Sequence, residues 1–166
     1  MATNQKKLDN LILKLSTNDT TLDTVNLANR KLNIHDLQNL VKALKNNTVV
    51  TKLNLSSNNI DDEGVALIAT LLKNNQSLVS ICLHDNNIED KEIRYIADAL
   101  KVNTKMKENQ LDLDLACNLF NVKRASKLLG EIKILKNDLD LTDEENEDES
   151  NDENKGLAKR RKLRLR

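Results

Sequence analysis

A period of 28 residues constrains this chain more than any other feature. Leu22, Val50 and Leu78 recur at that interval, followed by Val25, Leu53 and Ile81, by Leu27, Leu55 and Leu83, and by Leu32, Ile60 and Ile88. Further along each unit come Leu37, Val65 and Ile93; Leu40, Ile68 and Ile96; Val41, Ala69 and Ala97; and Leu44, Leu72 and Leu100. All of these columns are apolar. In the middle unit Leu53 and Leu55 alternate with Lys52, Asn54 and Ser56, the period of a half-buried strand, whereas Val65, Ile68, Ala69 and Leu72 have helical spacing. Each unit is expected to be one short strand followed by one helix, and three units in register predict a stack with a continuous core. Asn47, Asn75 and Asn103 recur where each helix must stop. Asp61-Asp62 and Glu89-Asp90 stand at helix starts, where acidic side chains meet free N–H groups and the positive end of the helix dipole.

The turns of such a stack must be built without the usual residues. The chain has no proline and only three glycines, so Asn and Asp, which tolerate left-handed backbone, have to form them. Tyr95 and Phe120 are the only aromatics, which leaves burial to Leu, Ile, Val and Ala.

LNLSSNNI at residues 53–60 and ICLHDNNI at 81–88 resemble the leucine-rich repeat pattern LxxLxLxxNxI. The 28-residue unit with a full helix is similar to the ribonuclease-inhibitor-like subclass. The resemblance implies an α/β fold, a short solenoid with parallel strands on a concave face and helices on a convex face. Asn58 and Asn86 would form the turn ladder; Arg30 replaces the motif Asn in the first unit, so a looser or solvent-facing turn is expected there. The helix ends of the type ALKNNT, residues 43–48, also resemble those of tropomodulins and of nucleotide-binding immune receptors, a likeness of repeats that transfers no actin or receptor function.

Four segments are expected. Residues 1–21 form a capping half-repeat with a helix over 6–16, whose stripe is Leu8, Leu11, Ile12 and Leu15; aligning Asn18 with Asn46 sets Ile12 in the Leu40 column and Leu13 in the Val41 column. Residues 22–105 are the three repeats. For the C-terminal cap at 106–141 two readings stand. A slip of four residues gives a degenerate repeat, LDLACNLF at 113–120 with Asn118 at the turn. Alternatively, 108–118 and 121–133 form a helix pair, since 115–129 weakly resembles an ankyrin repeat. Residues 142–166 are expected to be a disordered tail, because neither its acidic nor its basic run can bury enough apolar surface to order it.

Lysine plus arginine and aspartate plus glutamate both total 26, yet 143–154 hold eight acids and no base, and 155–166 hold seven bases and no acid. The body is close to neutral. The basic residues Lys159, Arg160, Arg161, Lys162, Arg164 and Arg166 suit a targeting segment, a nonspecific contact with nucleic acid or an anionic surface, or a partner for the acidic run. An acidic and a basic segment behind leucine-rich repeats also resemble the acidic leucine-rich nuclear phosphoproteins in architecture.

Chemistry is sparsely provided for. No glycine-rich phosphate loop, GxSxG elbow or HExxH occurs, so no enzyme, cofactor or metal is expected. Cys82 and His84 project from one strand and could share a cation with Asp85 or Asp112, but the bland reading, tolerated polar strand positions, is the stronger. His35 belongs to the first turn of its helix. The outward strand residues define the candidate protein-binding face: Thr24, Asn26 and Ala28; Lys52, Asn54 and Ser56; Ser80, Cys82 and His84. It lacks the Trp, Tyr and Arg that anchor tight interfaces, which directs attention also to the rims at Arg30, Asn59, Asn87 and Tyr95. The leading expectation is a non-catalytic adaptor that binds another protein. The alternative is a nuclear or nucleic-acid-associated regulator directed by the basic segment, and an Asn- and Lys-rich composition adds a bacterial effector as a third. Cys82 and Cys117 lack CxxC spacing, and the apolar run at 11–13 is too short for a signal peptide or membrane span. A cytoplasmic location follows, with the nucleus or a host cell as alternatives.

Overall fold

The computed structural model describes residues 2–108 and 111–130. Its elements run α1 (Ala2–Ser16), β1 (Thr24–Asn26), α2 (Ile34–Leu44), β2 (Lys52–Asn54), α3 (Asp62–Asn74), β3 (Ser80–Cys82), α4 (Asp90–Val102), α5 (Thr104–Glu108), β4 (Asp112–Asp114) and α6 (Val122–Gly130). The four strands form one parallel sheet in sequence order. The period becomes geometry here: Val25, Leu53, Ile81 and Leu113 are register partners, and each is at most 2% exposed. On the other layer α1 packs on α2, α2 on α3, α3 on α4, and α4 on α6. The two layers enclose one leucine-dominated core that extends from Leu15 to Leu129.

α1 covers the open end of the stack. Its Leu8, Leu11 and Ile12 pack against the core and Leu15 is buried in it, but Leu13 is 62% exposed. The expected alignment is therefore one residue out. Leu8, Leu11, Ile12 and Leu15 match Leu37, Leu40, Val41 and Leu44 at an interval of 29, not 28.

Three of the four strands, β1, β2 and β4, end after three residues for a local reason. Asn26 Oδ1 accepts from the Ala28 N–H at 3.0 Å, Asn54 Oδ1 from Ser56 at 2.9 Å, and Asp114 Oδ1 from Ala116 at 3.0 Å. These Asx turns bend the chain out of the strand. The turns then pass through left-handed backbone at Asn29, Ser57, Asp85 and Cys117, with φ of 54°, 54°, 53° and 58°. No glycine stands at this column. Cys117 and Ser57 are poor residues for that conformation, which costs a non-glycine residue about 1–2 kcal/mol. Cys117→Asn, which copies Asn29 in the same column, is expected to raise stability by about 0.5–1 kcal/mol, and Cys117→Val to lower it by about 1–2 kcal/mol; urea titrations of the three proteins measure both.

At the helix starts, Asn33 Oδ1 accepts from the Asp36 N–H at 2.9 Å while Asp36 Oδ2 accepts from Asn33, and Asp61 Oδ1 accepts from Gly64 at 3.2 Å. Gly64 is needed for space, since a Cβ there would lie 2.7 Å from Ile60 Cγ2. In the segment given two readings, Asp112–Asp114 pair with β3 as a strand, on residues that the helix-pair alternative assigned to its first helix. The repeat slips by four because the extra residues fall between Met106, which keeps the Leu78 column, and Leu111. The acidic and basic runs at 143–154 and 155–166, with Lys159, Arg160, Arg161, Lys162, Arg164 and Arg166, lie outside the described residues. Among the described residues no helix is long and apolar enough to cross a membrane.

Candidate functional site: the strand face

Parallel register arranges the outward side chains into rows. Thr24, Lys52, Ser80 and Asp112 form one; Asn26, Asn54, Cys82 and Asp114 form the next. Ala28, Ser56, His84 and Ala116 follow two positions beyond, where the ladder continues from Leu27 N to Asn54 O at 2.9 Å, Leu55 N to Cys82 O at 2.9 Å and Leu83 N to Asp114 O at 2.8 Å. Thr24, Asn26 and Lys52 are exposed; Asn54, Ser56, Ser80, Cys82 and His84 are half-buried. The fourth strand adds Asp112 and Asp114, which the sequence list of face residues omits. The alternation LDLDL at 111–115 is the signal that locates them, once the four-residue slip is allowed for.

Several of these side chains are already engaged. Asn26 and Asn54 make the Asx turns, and Ser56 Oγ also donates to Asn54 Oδ1 at 2.8 Å. Ser80 Oγ donates to Asp112 Oδ2 at 3.2 Å, and Cys82 Sγ lies 3.6 Å from Asp114 Oδ2. Burial pushes the Cys82 thiol above its ordinary range, and the nearby Asp114 carboxylate adds to the rise. A thiol held protonated is a poor nucleophile and a poor metal ligand. Among the described residues no three His, Cys, Asp or Glu side chains converge as a metal site. His35 is exposed in the first turn of α2, with its Nδ1 3.3 Å from Asn39 Nδ2.

Behind the face, two asparagine ladders join the units. Asn58 Oδ1 accepts from the N–H groups of Arg30 and Leu32 at 3.1 and 3.3 Å, and its Nδ2 donates to Leu27, Leu55 and Ser56 carbonyls at 2.9 to 3.0 Å. Asn86 repeats this against Asn58 and Ile60, and Asn118 against Asn86 and Ile88. Each side chain staples its own turn to the preceding unit. Arg30, at the equivalent position of the first unit, is exposed, and its backbone N–H is held by Asn58 Oδ1. The second ladder adds to a sequence expectation: Asn75 and Asn103 do cap their own helices, α3 and α4, through backbone N–H groups that donate to the Leu71 and Ala99 carbonyls at 2.8 and 3.3 Å. Asn47, Asn75 and Asn103 do not close their own helices with their side chains: Nδ2 of each donates across to Leu15, Leu44 and Leu72, the last carbonyls of the helix before, at 2.8, 2.8 and 2.6 Å.

On the helix face, a groove of about 310 Å³ between α3 and α4 is lined by Ala66, Ala69, Thr70, Lys73, Tyr95, Asp98, Ala99 and Val102. Tyr95 is 38% exposed and Val102 58%. Sequence reasoning picked out Tyr95 but not the groove, which small residues on two neighbouring helices create jointly. At the far end Asp90 accepts from the Asn121 N–H and pairs with Arg124 at 2.9 Å, tying the fourth turn to α4.

A parallel strand–helix stack whose turns are bridged by buried asparagines is a leucine-rich repeat protein. A profile of the TMOD/LMOD leucine-rich domain matches residues 4–114, and the chain belongs to that family. Its fold is similar to a Caenorhabditis elegans structure described as the tropomodulin C-terminal domain, at 17% identity and a TM-score of 0.58, over 76% of this chain and 90% of that one. It is likewise similar to a structure titled Leiomodin-1 Actin-Binding Site 2, at 22% identity and a TM-score of 0.58, over 75% and 88% of the two chains. No match is found among curated proteins.

Proposed function

We propose that this domain is a non-catalytic protein-interaction module and that actin is its partner. The observation that carries the reading is the family match over residues 4–114, which spans the first three strands, their helices and the start of the fourth unit. The leiomodin structure of similar fold is described as an actin-binding site, which names the partner to test. The face supports a binding role over a chemical one: its thiol is held protonated, and its outward residues are small and polar. Thr24, Lys52, Ser56, Ser80, Cys82 and His84 are the polar face residues of the first three strands that make no Asx turn of their own; Ser80 and Cys82 are engaged by Asp112 and Asp114, and we assign contact to Thr24, Lys52, Ser56 and His84. The 28-residue strand–helix unit further aligns these repeats with the ribonuclease-inhibitor-like subclass, and 106–141 is read as a degenerate fourth repeat that caps the stack. The nuclear and effector readings rest on composition and on residues outside the described ones.

The test is cosedimentation of the full chain with filamentous actin, alongside binding to monomeric actin. Saturable binding to either form is expected, weakened about threefold or more by Lys52→Glu, given about 1 kcal/mol for an interfacial charge contact. Absence of binding to both forms at about 100 μM protein, a binding free energy weaker than about −5.5 kcal/mol, would sink the actin assignment.

A further inference from the structure

The strand face is polarised along the stack. Lys52 stands exposed on β2, and Asp112 lies in the same row on β4, two strand spacings or about 10 Å away. Asp114 lies one row further, and the floor between the charges is Asn54, Ser80 and Cys82. Among the described residues none of the three charged side chains enters an ion pair. Asp112 accepts from Ser80 Oγ, and Asp114 from Cys82 Sγ and the Ala116 N–H. These neutral donors orient the carboxylates without offsetting their charge, and the buried Asp112 Oδ1 has no hydrogen-bond partner among the described residues.

The same chain holds a segment of opposite sign. Residues 159–166, KRRKLRLR, carry six bases and no acid. We propose that this segment docks in cis on the β3–β4 end of the strand face, its Arg and Lys side chains over Asp112 and Asp114. Exposed ion pairs contribute at most about 1 kcal/mol each, so two carboxylates would hold a free peptide only at about 30 mM or above. Covalent connection supplies an effective concentration of millimolar order, so the docked form is a minority population that a covalent crosslink can trap. Lys159 follows Gly130 by about 30 residues, a length of chain that can span up to about 100 Å; reach does not limit the contact. The acidic run at 143–154 competes for the same bases. It must be ordered to pair, whereas Asp112 and Asp114 are already fixed, and fixed carboxylates suit the planar fork of arginine. Docking would cover Ser80, Cys82 and His84 and make the basic segment a competitor of any partner on that end of the face. The inference goes beyond the actin reading and does not depend on it.

Zero-length carbodiimide crosslinking of the full chain tests the contact, with an equal mixture of isotopically labelled and unlabelled protein to separate links within a chain from links between chains. Expected are amide links from Lys159 or Lys162 to Asp112 or Asp114 within one chain. Their yield should fall about fivefold or more between roughly 20 and roughly 500 mM salt, as the Debye length contracts. It should fall as far in a chain with Arg160, Arg161, Arg164 and Arg166 changed to Glu, which keeps both lysines and leaves the repeats untouched. An Asp112→Asn, Asp114→Asn chain with an unchanged melting temperature should show none of these links. The proposal is overturned if these lysines link only to acids at 143–154, if the links form only between chains, if no links to β4 form, or if yield ignores salt and the arginine changes.

Discussion

Leu55→Asp is expected to abolish the folded state. Leu55 is 1% exposed and packs in the core just past β2, midway along the stack. The change forfeits about 2–3 kcal/mol of apolar burial, and the new carboxylate must either ionise without a partner or stay protonated and unsatisfied, which costs several kcal/mol more. Together these exceed the about 5 kcal/mol that marks the lower end of domain stability. Leu83→Asp, at 0% exposure one unit further on, should behave alike. The measurement is far-ultraviolet circular dichroism through a thermal melt. Retention of the full helical signal and an unchanged transition would contradict the assignment of these leucines to the inner side of the sheet.

Asn86→Ala comes next in size. Its Oδ1 accepts from the Asn58 and Ile60 N–H groups at 3.1 and 3.0 Å, and its Nδ2 donates to the Leu55, Leu83 and His84 carbonyls at 3.1, 3.0 and 3.3 Å. Alanine leaves most of these buried backbone groups without partners, at about 1–3 kcal/mol for each that water cannot reach. A loss of about 3–5 kcal/mol is expected after relaxation. Asn86→Asp is nearly isosteric and separates hydrogen bonding from packing: it keeps the acceptor but turns a second oxygen toward three carbonyls, so it should be at least as damaging at neutral pH. Arg30→Ala, at the exposed equivalent position of the first unit, should change stability by less than about 0.5 kcal/mol. Denaturant midpoints of the three variants provide the comparison, and equal losses at residues 30 and 86 would remove the ladder from the account.

Legibility in the sequence followed the range of the interaction. The inner side of each strand and helix could be read because burial imprints a local period of two or of about 3.6, and the repeat of 28 imprints it several times over. Asn58 and Asn86 could be singled out as turn residues, whereas the bonds they make reach backbone groups 26 to 31 residues back. Nothing in the local pattern specifies such partners. For the same reason Asn47, Asn75 and Asn103 could be placed at helix ends, where Asn75 and Asn103 do cap their own helices, whereas the carbonyls of the preceding helix that their side chains reach could not be read. The candidate face was legible in part. Alternation gives the direction of Thr24, Lys52 and Ser80, but whether Asn26 and Asn54 are free to bind depends on turn geometry, and the inclusion of Asp112 and Asp114 depends on where a four-residue insertion is absorbed.

The sequence by itself determined a strand–helix unit, its repetition, the composition of the core and the direction in which each strand side chain points, because these follow from hydrophobic periodicity along a single chain. Only the tertiary structure decided the one-residue slip that exposes Leu13, the left-handed turns at Ser57 and Cys117, the cross-unit targets of two asparagine ladders and the polarity of the strand face from Lys52 to Asp112. These depend on how units are brought alongside one another in space, and hydrogen bonds and charge rows between stacked units form only once that spacing is set.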